Sequence, residues 1–217
     1  MPAASACKRG KPLPLTTSRE SLLVNGSDRE FRELVHDMLA FAAAIQDVRN
    51  RLGQLIGLSG TQYTILNSIA RLSQVTRDLG VNQLAEHLHL SGAFVTIEVN
   101  KLVAAGLVTK KTNPDDRRRV VLAITREAEK RLTDLVQVQR PANDVLFGPL
   151  SAEDFLALRG VIAKLAGTGE RTVRLIEYLA PGGTLEDLAA GLPDTLPEDL
   201  PQDLSPDLIG DLSDLVE

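Results

Sequence analysis

Five cationic side chains, Lys110, Lys111, Arg117, Arg118 and Arg119, fall within ten residues and flank Asn113-Pro-Asp-Asp116. That tetrapeptide is turn chemistry: Pro presets φ, and Asn and Asp close hydrogen bonds onto their own backbone. Residues 107–112 alternate before it and 119–125 return after it, which predicts a β-hairpin with guanidinium groups at its tip. Such a tip suits the narrow, electronegative minor groove of a DNA duplex. Asp116, two residues before Arg118, is spaced to brace that guanidinium.

The residues just upstream supply the other half of a grip. Leu84, Ala85 and Leu88 recur on one face of a first helix, His89-Leu-Ser91 makes a turn, and Ser91 caps a second helix. On the second helix Val95, Val99, Leu102 and Val103 face inward, and Gly106 ends it. Gly92, Ala93, Thr96, Ile97, Asn100 and Lys101 are left for a groove. Small residues at the helix start permit close approach to DNA, and the N-terminus favours phosphate. Helix, turn, helix, strand, cationic turn and strand is the order of a winged helix-turn-helix. The predicted fold class is therefore mainly α with a small β wing, an α+β chain with long helices at both ends.

Those end helices must hold the reader parts. Phe31, Leu34, Val35, Met38, Phe41, Ala42, Ile45, Val48, Leu52 and Leu55 form a stripe over residues 28–57, which Gly57 stops. A helix over 61–72 turns Tyr63, Ile65, Leu66 and Ile69 inward, with Ser59 as its cap, and 77–80 reads as a turn. Residues 126–147 are helical, with Ala128, Leu132, Leu135, Val136 and Val138 on one side and a break or kink at Pro141. Ser151-Ala-Glu-Asp154 starts another helix, striped by Phe155, Leu158, Ile162 and Leu165. A short helix follows over 170–179.

Charge divides the chain unevenly. The net charge is −5, yet residues 181–217 hold ten acidic residues and no Lys or Arg. The other 180 residues hold all 24 Lys and Arg against the remaining 19 acids, a mildly basic body suited to a polyanion. Leucines every four residues from Leu192 to Leu212 are interrupted by Pro193, Pro197, Pro201 and Pro206, so the tail is expected to be disordered. Residues 1–27 are expected to form a flexible N-terminal tail. There is no long apolar run and no secretory leader pattern, which predicts a cytoplasmic chain without membrane contact. One cysteine, Cys7, excludes an intramolecular disulfide, and its place in the tail predicts an inert thiol. His36, His87 and His89 lack metal-ligand spacing, so no metal and no cofactor are expected. Nucleophile elbow, phosphate loop and metal motif are all missing, and the Asp115/Asp116 pair sits in a turn among arginines, so the chain does not read as an enzyme.

Several segments resemble the MarR (multiple antibiotic resistance regulator) family. They are Gln83-Leu-Ala-Glu86 with Leu88 and Ser91, Lys101-Leu-Val-Ala-Ala-Gly-Leu-Val108, Asn113-Pro-Asp-Asp-Arg-Arg118 and Leu122-Ala-Ile-Thr125. Leu58-Ser-Gly-Thr-Gln-Tyr63 is similar to the family's helix before the reader pair. The resemblance covers about residues 28–165. It implies a homodimer made by end helices at 28–57 and 126–179, a reader lobe at 59–125, and a pseudo-palindromic double-stranded operator. Residues 28–180 then form one winged-helix domain between the two tails. The resemblance carries the reader-helix contacts over to Ser91 through Lys101 and the wing's aspartate and arginine to Asp116 and Arg118; Lys111, Arg117 and Arg119 join them as expected DNA contacts from the cationic cluster on the hairpin. Three positions depart from the family pattern. Ile97 stands where many members carry a basic residue, Glu98 where they carry an apolar one, and Lys110 where arginine is frequent. Glu98 either accepts from a cytosine amino group or pairs locally.

Family members commonly bind a small aromatic or anionic effector between the dimerisation helices and the reader lobe. The candidates here are His36, Phe41 and Tyr63, with Lys110 as anion partner. The favoured function is a sequence-specific homodimeric repressor released from its operator by an effector. The alternatives are an architectural, sequence-tolerant DNA-binding protein without an effector, and an interaction module that uses the winged fold without DNA. The acidic tail is either a solubilising extension or a competitor for the cationic wing.

Overall fold

The computed structural model describes residues 14–112, 120–180 and 183, with only the backbone of Glu170. The expectations for Cys7, the wing residues Asn113 to Arg119 and most of the acidic tail lie outside them. The chain falls into two units, Ser27–Gly148 and a second one made of Met1–Gly26 with Pro149–Glu217.

In the first unit α1 runs Arg29–Leu55, α2 Gly60–Leu72, α3 Val81–Leu88 and α4 Gly92–Ala104. Strands β1 (Val108–Thr112) and β2 (Val120–Ile124) follow, and α5 spans Arg126–Phe147. The strands pair antiparallel, with Val108 opposite Ile124 and Lys110 opposite Leu122. This is the mainly helical fold with a small β wing that the sequence predicts.

The core forms where the apolar faces converge. Ile65, Leu66 and Ile69 of α2, Leu84 of α3, Val95, Val99 and Leu102 of α4, Leu122 of β2 and Ala128 of α5 are all fully buried or nearly so. The three- and four-residue spacing of these side chains is what lets each helix bury one face. Two backbone constraints close the assembly. A Cβ on Gly53 would stand 2.9 Å from the carbonyl oxygens of Leu58 and Ser59, so only glycine permits that approach of α1 to the start of α2. Gly106, at φ 72°, ends α4 in the left-handed conformation, with Leu107 N–H donating to the Leu102 carbonyl at 2.9 Å.

The structure sharpens four expectations. The α1 stripe is half core: Leu52 is buried, whereas Leu34, Val35, Met38 and Leu39 near its start, and Leu55 at its end, are exposed. On α5, Ala128 and Leu135 are buried but Val136 and Val138 are not, since consecutive helical residues point about 100° apart. Pro141 does not end α5, which continues six residues beyond it. Past the proline, the Phe147 ring meets Phe41 edge-on at 5.6 Å, a contact that only the continued helix can make. The segment before α3 turns at Arg77 and Asp78, and just after the turn Leu79 is buried, its carbonyl accepting from Leu122 N–H at 2.8 Å, which ties the segment to β2.

In the second unit a short 3-10 turn occupies Glu20–Leu22, and Asn25 and Gly26 hold φ of 53° and 73°. The described part of the N-terminal segment therefore has local structure that composition did not suggest. Helix α6 (Ala152–Ala166) starts on a Ser151–Asp154 capping box, and α7 spans Gly169–Leu179. On α6, Phe155, Leu156, Leu158, Val161, Ile162 and Leu165 are exposed. No helix among the described residues is long and apolar enough to cross a membrane.

The core assignment has a direct consequence. Ile69→Ala should lower unfolding free energy by about 2–5 kcal/mol in urea denaturation, because its site is fully enclosed and cannot collapse freely. A loss under 0.5 kcal/mol would show that α2 is not central.

Candidate nucleic-acid interface

Helices α3 and α4 are joined by His89, Leu90 and Ser91. His89 caps α3 at φ 52°, a left-handed position unusual for a residue with a Cβ. Leu90 N–H donates back to the Ala85 carbonyl at 3.0 Å, and Ser91 Oγ accepts from Phe94 N–H at 3.3 Å to open α4. With Val95, Val99 and Leu102 locked inward, α4 presents Ser91, Ala93, Phe94, Ile97, Asn100 and Lys101 outward. Gly92 and Thr96 are half-buried, and the Thr96 hydroxyl donates to the Gly92 carbonyl at 2.7 Å. Phe94 belongs to the exposed set but was not singled out from the sequence.

Glu98 lies on the inner side. It is 7% exposed and accepts from Lys101 Nζ at 2.6 Å and Gln62 Nε2 at 3.1 Å. Of the two roles open to it in sequence, the structure shows the local pairing. Lys101 chiefly, and Gln62 after it, hold the carboxyl below its ordinary range against the opposing effect of burial. Gln62 also closes α2's cap in both directions: its side-chain Oε1 accepts from Ser59 N–H at 3.1 Å, and its backbone N–H donates to Ser59 Oγ at 3.2 Å. A polar chain thus runs from the α2 cap to the outer face of α4.

The wing places one further cation beside this face. Lys110 donates to Asn100 Oδ1 at 2.5 Å, and Lys111 is exposed. Thr125 fixes the base of the hairpin: its hydroxyl donates to the Gly106 carbonyl at 2.8 Å and accepts from Ala128 N–H at 3.2 Å. Asp116, Arg117, Arg118 and Arg119 lie outside the described residues.

The four effector candidates do not converge. A cavity of about 590 Å³ lies between α1, α2, α3 and α5, within the range of small-molecule sites. Tyr63 lines it, and Phe41 touches its wall through Phe147. His36 does not line it, because it stands more than two helical turns before Ile45, the first α1 residue there. Nor does Lys110, which its strand directs to Asn100. The cations in the wall are instead Arg49 and Arg71. Arg49 donates Nε to Thr64 Oγ1 at 2.7 Å and stands 6.0 Å over the Tyr63 ring. Arg71 donates to His87 Nε2 at 2.6 Å, which requires a neutral acceptor nitrogen, and the His87 imidazole is shifted downward by desolvation and then by Arg71. Arg49 and Arg71 had no signal in sequence beyond their cationic type. Among the described residues, no cluster of three or more metal-ligating side chains occurs.

The model of the MarR family matches residues 56–119, from the end of α1 into the wing. Over that segment, less than a third of the chain, the sequence is similar to the MarR family. Solved structures share its fold. An Escherichia coli MarR mutant complexed with operator DNA is 20% identical, with a TM-score of 0.53, covering 63% of this chain and 95% of that one. The transcriptional regulator BldR from Sulfolobus solfataricus is 24% identical, with a TM-score of 0.52 and coverage of 64% and 96%. A MarR protein from Peptoclostridium difficile is 17% identical, with a TM-score of 0.55 and coverage of 76% and 97%. Comparison with curated protein sequences gives no match. At these identities the structural likeness defines the MarR winged-helix fold, with α3 and α4 as the helix-turn-helix.

Glu98 makes the stability of this lobe depend on pH with a definite sign. A carboxyl held below its ordinary value of about 4.3 adds stability that is complete above that value and is lost as pH falls through the lower folded value. Urea midpoints measured from pH 6 down to pH 3 should fall less steeply in Glu98→Gln than in the unaltered chain. Parallel acid limbs would show that the buried carboxyl is not coupled to folding.

Proposed function

We propose that this chain is a sequence-specific DNA-binding transcriptional regulator, acting as a homodimeric repressor that an effector releases from its operator. The observation that carries the reading is the outward face of α4, which is held by a buried core and flanked by Lys101 and Lys110, with Lys111 exposed on the same strand. A helix so oriented enters a major groove while the lysines meet phosphate, and the wing reaches the adjacent minor groove. Ser91, Gly92, Ala93, Thr96, Ile97, Asn100, Lys101 and Lys111 are the proposed contacts described here, joined by Asp116 to Arg119 from the sequence. Residues 28–180 are the proposed working domain, the acidic tail is a solubilising extension, and the site of action is the cytoplasm.

Dimerisation is supported by uncovered apolar surface. Leu34, Val35, Met38 and Leu39 on α1, the exposed stripe of α6, and Val173 and Ile176 on α7 are each surfaces that a second copy would remove from water. The two-fold symmetry of such a pair matches a pseudo-palindromic site. The effector reading moves to the cavity of Tyr63, Arg49 and Arg71, whose apolar wall and guanidinium groups fit a small aromatic anion.

Selection of duplexes from genomic fragments, followed by affinity against salt, tests the function. A tight site with a steep salt dependence, well separated from random DNA, is expected. Equal affinity for all fragments would favour the architectural alternative. Arg118→Ala should reduce the salt slope by about one counterion, and an unchanged slope would remove that guanidinium from the interface. Leu34→Glu should convert a dimer to monomer or unfolded chain in sedimentation analysis. A folded dimer with full affinity would place the interface elsewhere.

A further inference from the structure

The outward face of α4 is unusual for a surface ringed by cations, because its centre is apolar. Ile97 is 54% exposed and Ala93, one turn before it, is exposed beside it. Phe94, 40% exposed, stands at the edge of the same face. The polar groups nearby are largely engaged. The Thr96 hydroxyl donates to the Gly92 carbonyl, Lys101 is held by Glu98, and the Asn100 carbonyl oxygen accepts from Lys110. The face therefore has little capacity for the bidentate hydrogen bonds by which arginine reads guanine or glutamine reads adenine.

The flanking Lys101 and Lys110, with Lys111 exposed next along the same strand, make a polyanion the fitting occupant, which disfavours an ordinary apolar protein surface. Within a duplex, the apolar group available on base edges in the major groove is the thymine 5-methyl. We infer that Ile97, with Ala93 beside it, is a specificity-determining contact that reads thymine methyl groups in the operator. The inference rests on the DNA-binding reading and adds to it the chemistry that is recognised. Ile97 removes the methyl from water, while Lys101, Lys110 and Lys111 set the register on the phosphates. Phe94 borders the contact and limits the space for a larger edge group.

The test begins with sites selected by the full chain from a random-sequence duplex pool. Each thymine of the selected site is then replaced singly by uracil, which deletes only the methyl. At one or more positions per half-site, affinity should fall about fourfold, the effect of leaving one methyl unburied. In Ile97→Ala, an exposed position that folding does not depend on, uracil and thymine duplexes should bind equally. A 5-methylcytosine·guanine pair at the same position should be bound better than cytosine·guanine by the unaltered chain and not by Ile97→Ala. Unchanged affinity on uracil replacement at every position, with a preferred site still selected, would overturn the inference and leave the DNA-binding reading standing. A uracil penalty that persists in Ile97→Ala would assign the methyl to another side chain and overturn the role of Ile97. A pool that yields no preferred sequence would overturn both.

Discussion

The burial of one face of α4 against α2 governs the rest of this molecule. Val95, Val99 and Leu102 are inaccessible to water, as are Ile65, Leu66 and Ile69 opposite them. A helix gripped along a full stripe cannot rotate, so its remaining face is set to within a small angle. The groove-facing residues are thus defined by what the core excludes. Glu98 adds a polar lock to the same face. A buried carboxylate is costly unless it is paired, and here Gln62 from α2 and Lys101 from α4 both satisfy it. Rotation of α4 would break these hydrogen bonds along with the packing.

The wing depends on the same core through backbone rather than side chains. Leu79 accepts from Leu122, and Thr125 joins the end of α4 to the start of α5. The base of the hairpin is therefore fixed to both ends of the reader pair. A short two-stranded sheet would be marginal alone, and these ties give it a defined direction. Lys110 then extends from β1 to Asn100, so wing and helix share a hydrogen bond at their outer surface.

A second theme is apolar surface left uncovered. The first half of α1 exposes leucine, valine and methionine, and α6 taken by itself exposes a whole stripe. Surfaces of this size on a single chain are expected at interfaces. In contrast, the second half of α1 sends Leu52 into the core and, with α2, α3 and α5, lines the cavity of Tyr63, Arg49 and Arg71. The same cavity touches the reader pair through His87 and Leu88, so its occupant would contact α3 directly.

The amino-acid sequence alone determined the order of elements, the inward faces of α2, α3 and α4, and the caps at Ser59 and Ser91. These follow from local chemistry: periodicity, hydroxyl acceptors and glycine stops act within a few residues. It also carried the MarR resemblance, because the matched residues lie in one nearly continuous segment. Tertiary structure alone decided what depends on residues far apart in the chain. Gln62 meets Glu98 across 36 positions and Leu79 meets Leu122 across three elements, α3, α4 and β1. Arg49 and Arg71 reach one cavity while His36 and Lys110 do not, because helix rise and strand direction, rather than residue type, set where a side chain arrives. Whether an apolar stripe is core or open surface was likewise undecidable from periodicity, since the same spacing serves any partner that covers it.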